Sequence, residues 1–99
     1  MAINPLKIYE KADPELLKQV NISSEFAFSD GALPRKIKLL IAMALDASHG
    51  AANGVQALAN AAIKAGATKK EVLETIRVAQ YVSGVGCVYV ASQAIRELW

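Results

Sequence analysis

One cysteine, one histidine, no long apolar run and no marked excess of either charge: each scarcity in this 99-residue chain closes off a class of function. The lone thiol, Cys87, cannot form an intrachain disulfide, which points to a reducing compartment and a cytoplasmic protein. With His49 the sole imidazole and no Cys, His and acidic residues at ligand spacing, no metal is implied. There is no Gly-rich phosphate loop, so no nucleotide cofactor is implied either. The longest wholly apolar stretch, Leu39 to Leu45, falls far short of the roughly 18–20 residues that span a bilayer. Met1 to Pro5 lacks a basic segment followed by an apolar one, so no secretory signal is expected. Eleven basic residues stand against nine acidic ones. Only Arg35-Lys36-Ile37-Lys38 clusters, and no aromatic interleaves it, which argues against nucleic acid as a partner.

What is present in excess is oil. The chain is 54% hydrophobic, above the roughly 45–50% of ordinary soluble domains. Its length allows one domain, whose small core cannot absorb that surplus. Obligate interfaces resemble a domain core cut in half, so the surplus predicts a homo-oligomer.

The periodicity is helical throughout. Residues 1–12 read as an N-terminal arm with room for a turn or two of helix, and residues 13–99 as the domain. Asp13-Pro14-Glu15 is a helix start: Asp caps free amides, Pro suits the first turn and Glu the positive dipole end. Leu16, Leu17, Val20, Ala27 and Phe28 form a broken apolar stripe that Asp30-Gly31-Ala32-Leu33-Pro34 ends. A second helix is predicted from about Pro34 to His49. Its interior is apolar all round, which predicts protein on every side. A third, about Ala51 to Ala65, turns Val55, Leu58, Ala59, Ala62 and Ile63 inward. Thr68-Lys69-Lys70-Glu71 reads as a capping box opening a fourth helix, with Val72, Leu73, Ile76 and Ala79 inward. A last helix, about Cys87 to Leu98, carries Val88, Ala91, Ile95 and Leu98 on one stripe. The fold class is all-α.

Two blocks, Lys36-Ile37-Lys38-Leu39-Leu40-Ile41-Ala42 and Ala65-Gly66-Ala67-Thr68-Lys69-Lys70-Glu71, give the chain a further character. With Asp30 to Pro34 and Ala79 to Val85 around them, the sequence resembles the carboxymuconolactone decarboxylase family, which includes alkylhydroperoxidase-D-like proteins. The resemblance implies a small bundle of about five to six helices that assembles as a trimer or hexamer. The redox branch uses a Glu, a C-x-x-C pair and a following His, so that one thiolate attacks peroxide and a second resolves the sulfenic acid. The positions aligned with those groups hold Leu39, Ala51, Gly54 and Leu58, none of them reactive. The resemblance therefore implies a protein without a thiol-peroxidase site. A small pocket lined by Leu39, Ala51, Gly54 and Leu58 would bind or process an apolar or carboxylated molecule. A decarboxylase-type lyase needs a cation for the carboxylate and a proton donor. Lys36 and Lys38 offer the charge, whereas the donor is unassigned. A third reading is an interaction subunit paired with a redox-competent paralogue.

Among the remaining residues, Asp46 and His49 share one face of the second helix and are candidate acid–base residues. The alternative is a C-terminal His favoured by the helix dipole. Cys87, among Val85, Val88 and Tyr89, reads as a buried structural thiol. Ser48, Asn53 and Gln56 are candidate hydrogen-bonding groups, and Tyr81 and Tyr89 are expected at an interface.

Overall fold

The computed structural model describes residues 4–99, and every regular element among them is helical. A 3-10 turn (Pro5–Ile8) and a single α-turn, α1 (Tyr9–Ala12), form the arm. Five longer helices follow: α2 (Pro14–Phe28), α3 (Arg35–Ser48), α4 (Ala52–Lys64), α5 (Lys69–Ser83) and α6 (Gly86–Ile95), before a final 3-10 turn (Arg96–Leu98). The start and stop signals act as the sequence predicts. The Asp13 side chain accepts the Leu16 N–H at 3.1 Å. Thr68 Oγ1 accepts the Glu71 N–H at 3.1 Å, while Glu71 Oε1 accepts the Thr68 N–H at 2.8 Å, closing the capping box. Gly66 and Gly84, at φ +107° and +100°, end α4 and α5 in backbone conformations that side chains disfavour.

Helices α3 to α6 make the core. α3 packs on α4 and α5, and α6 closes against both of those. Seven of the fifteen buried hydrophobic residues are alanine, so the helices approach closely around few large side chains. Among the described residues, the only fully buried ones larger than alanine are Met43, Val55 and Val72. On α4 the predicted inward stripe holds, with Val55, Ala59 and Ala62 buried and Leu58 and Ile63 packed against them.

Elsewhere the fold leaves predicted core positions open. α3 is not enclosed on every side: Ile41 is 46% and Leu45 56% exposed, because the neighbouring helices leave one flank bare. Leu73 and Val88 are also more than a third exposed, and Cys87 and Ala94 take inward places on α6. α2 buries no residue at all. It is held chiefly at its C-terminal end, where the basic cluster is spent. The Arg35 guanidinium lies 5.8 Å from the Phe28 ring centroid, Lys38 Nζ donates to the Ser29 carbonyl at 2.7 Å, and Asp30 accepts the Arg35 N–H at 2.6 Å.

The consequence is measurable as area. The chain exposes 7091 Å², against about 5,400 Å² for a folded monomer of this mass. Its radius of gyration is 14.1 Å, against about 12.6 Å for a compact chain of this length.

Two substitutions check the frame. Thr68→Ala should lower unfolding stability by about 1 kcal/mol in urea titrations. The Glu71 carboxyl is held below its ordinary value of 4.5 by the Thr68 backbone hydrogen bond and then by Lys36. A carboxyl with a depressed folded pKa stabilises the protein above its unfolded value, and that share is lost as pH falls through the folded one. In Glu71→Gln, the drop in urea midpoint below pH 4.5 should be shallower than in the wild type.

Candidate functional site

The α3–α4 corner gathers the acid–base residues. The Ala51 N–H donates to the Asp46 carbonyl at 2.9 Å, and the His49 N–H to the Leu45 and Asp46 carbonyls at 3.1 and 3.2 Å, so the turn is tight. It folds the half-buried Asp46 side chain over the first turns of α4. A Cβ on Gly54 would meet the Asp46 carboxylate, with Cγ 2.9 Å away. No side chain caps α4, so this carboxylate lies near the positive end of an open helix.

Of the residues singled out from sequence, the structure therefore brings Asp46 and Gly54 together. His49 sits exposed at the end of α3, and no ion pair joins it to Asp46 among the described residues. Leu39 is 2% exposed and Leu58 half-buried against the core, so both serve packing in the isolated subunit. Ala51 is exposed as the residue preceding α4. Ser48 turns its hydroxyl back to the Leu45 carbonyl at 2.7 Å. Cys87 is buried, as expected of a structural thiol.

The lysines that could have served a carboxylate lie elsewhere. Lys36 Nζ is 3.1 Å from Glu71 Oε2, tying α3 to α5, and Lys38 holds Ser29. Both stand at the opposite end of α3, Lys36 about 15 Å along the axis from Asp46. Among the described residues no three His, Cys, Asp or Glu side chains group to hold a metal ion, and no helix is long and apolar enough to cross a membrane.

A second feature was not anticipated. On the flank of α3 away from Asp46, an open groove of about 410 Å³ runs between α3 and α5. Ile37, Leu40, Ile41, Ala44 and Leu45 form one wall, and Val78, Ala79 and Val82 the other. Of its three hydroxyls, Ser48 and Thr75 donate to their own helix backbones and Ser83 stands at the α5 end, so the length of the walls between them is apolar. The exposure of Ile41 and Leu45 was hidden in a run that is apolar on every face of α3, so periodicity could not separate core from groove.

The Asp46–Gly54 contact is testable. Gly54→Ala should lower stability by about 1 kcal/mol through overpacking. In an Asp46→Ala background the same change should be close to neutral, a coupling that a double-mutant cycle in urea would reveal.

Comparison with known proteins places this geometry. No curated protein matches the chain. The crystal structure of apo-lpg0406, a carboxymuconolactone decarboxylase family protein from Legionella pneumophila, is similar with a TM-score of 0.86 and 33% sequence identity, over 92% of this chain and 81% of that one. The sequence pattern of the carboxymuconolactone decarboxylase family matches residues 14–97, from the first turn of α2 to the end of the fold. The chain belongs to the carboxymuconolactone decarboxylase family.

Proposed function

We propose that this protein is a carboxymuconolactone decarboxylase-like subunit, working in a homo-oligomer of three or six copies, that binds or processes a small apolar or carboxylated molecule without thiol chemistry. The observation that carries the reading is the Asp46 carboxylate lying over Gly54. Gly54 stands where the redox branch would hold its second cysteine, so the ionisable group at this corner is a carboxylate in place of a thiol. A carboxylate accepts and returns protons but cannot pass through a sulfenic acid or a disulfide. The remaining thiol, Cys87, is buried in α6 and has no second cysteine in the chain to resolve it.

In this reading the half-buried Leu58 borders the ligand at the start of α4, Gly54 makes room for the Asp46 carboxylate, and Leu39 backs the corner from the core. Asp46 is the base or hydrogen-bond acceptor and His49 a hydrogen-bonding group at the rim. Lys36 and Lys38 are committed at the far end of α3, so neither meets a ligand carboxylate at this corner within one subunit.

The test has two arms. Peroxide consumption coupled to a thiol reductant should equal the blank. A panel of small aromatic and lactone acids should contain a compound that raises the melting temperature of the wild type and not of Asp46→Asn, with stabilisation of about 2.7 kcal/mol at a hundredfold excess over Kd. If that compound turns over, His49→Ala should reduce the rate while leaving the fold intact. Reductant-coupled peroxide loss abolished by Cys87→Ser would overturn the reading.

A further inference from the structure

The two unsatisfied surfaces of the subunit match each other. The α3 wall of the groove runs from Ile37 to Ser48, eleven residue steps or about 17 Å. On α2, Leu16, Val20, Ser23 and Ala27 recur at i, i+4, i+7 and i+11, the spacing of a helix-packing seam. That seam also covers eleven steps and about 17 Å. No charged side chain lines the groove, and none stands on the seam, since Lys18 and Glu25 occupy the opposite face of α2 and Glu15 its flank. Leu16 and Val20 are 45% and 38% exposed, and α2 buries nothing in its own subunit.

From this fit in length, polarity and exposure, we infer that α2 of a second copy of this chain lies in the α3–α5 groove, seam inward. The inference rests on the homo-oligomer reading above and names its contact. The helix is anchored at Phe28 and Ser29 by Arg35 and Lys38, so it projects as an arm and reaches a neighbour without unfolding its base. Each chain carries one arm and one groove, which lets the contact close into a symmetric assembly with neither left over. The area agrees: the subunit's excess of about 1,700 Å² over a compact monomer is what one partner gives up in an obligate interface of some 2,000–5,000 Å² in total. Tyr81 on α5 and Tyr89 on α6, 88% and 69% exposed, add to the apolar surface left open outside the groove.

Val20→Glu on the arm and Ile41→Glu in the groove test the contact separately. Both sites are partly exposed in the subunit, so each variant should keep its far-UV helical signal. Light scattering should give an oligomer for the wild type and 10.5 kDa for each variant at the same concentration. Mixing Val20→Lys with Ile41→Glu should raise the mass above 10.5 kDa, since the lysine arm of one chain meets the glutamate groove of the other. A Val20→Cys, Ala44→Cys protein on a Cys87→Ala background should form intermolecular disulfides on oxidation, which reports the contact even if a glutamate variant fails to fold. An oligomeric wild type whose variants also remain oligomeric, with no cross-link, overturns this contact and leaves the homo-oligomer reading standing. A wild type of 10.5 kDa overturns both.

Discussion

The structure depends on the smallness of its core. Helices that meet through alanine come close together, and the bundle gains tight packing while enclosing little volume. Among the described residues Met43, Val55 and Val72 are the only side chains larger than alanine that are fully hidden, with Leu39, Leu40, Ile76 and Ile95 buried nearly as deeply. The core has room for few other large apolar residues. Phe26, Tyr81, Val82 and Tyr89 are all more than two-thirds exposed, and the oil that a larger domain would bury lies on the surface. The groove, the bare arm and the excess area are three views of that one shortage of interior.

Helix α3 is where the consequences meet, because each of its faces does something different. One face carries Leu39, Met43 and Ala47 into the core. The adjoining edge holds Asp46 over Gly54 at the corner with α4. The far flank, with Ile37, Ile41 and Ala44, forms the wall of the groove. At its first turn Arg35 and Lys38 hold the end of α2, while Lys36 reaches Glu71, whose other oxygen closes the cap of α5. A residue of the α5 capping box thus also clamps α5 to α3, linking local helix-start chemistry to the packing that shapes the groove. The acid–base corner and the groove lie on different sides of the same helix, so occupying one does not fill the other.

Local signals were legible in the sequence wherever a single interaction decides the outcome. Asp13 and the Thr68–Glu71 box fixed helix starts, Gly66 and Gly84 fixed ends, and the alanine-rich stripe of α4 pointed inward. The inward face was ambiguous wherever a helix is apolar on more than one side. Ile41, Leu45, Leu73 and Val88 are as oily as their buried neighbours, and only the placement of the other helices decides which are covered. At the site, the absence of reactive thiols was plain from Ala51 and Gly54, and Asp46 was identified as a candidate for its proximity to His49. Its observed partner is instead Gly54, eight positions on, because a contact made across a helix–helix turn leaves no periodic trace. Lys36 and Lys38 of the basic cluster read as charge available to a ligand carboxylate, whereas Arg35 and Lys38 hold carbonyls at the end of α2 and Lys36 pairs with Glu71.

The central claim is that this subunit is completed by another copy, and hydrogen exchange along α2 tests it most directly. A helix that buries nothing in its own subunit opens readily unless something covers it. Amides of residues 16–27 should be protected to an extent comparable with α4 at micromolar protein, and that protection should fade on dilution while α4 keeps its own. Exchange of α2 at the rate of an unstructured peptide, beside a protected α3 to α6 at every concentration, would contradict the account.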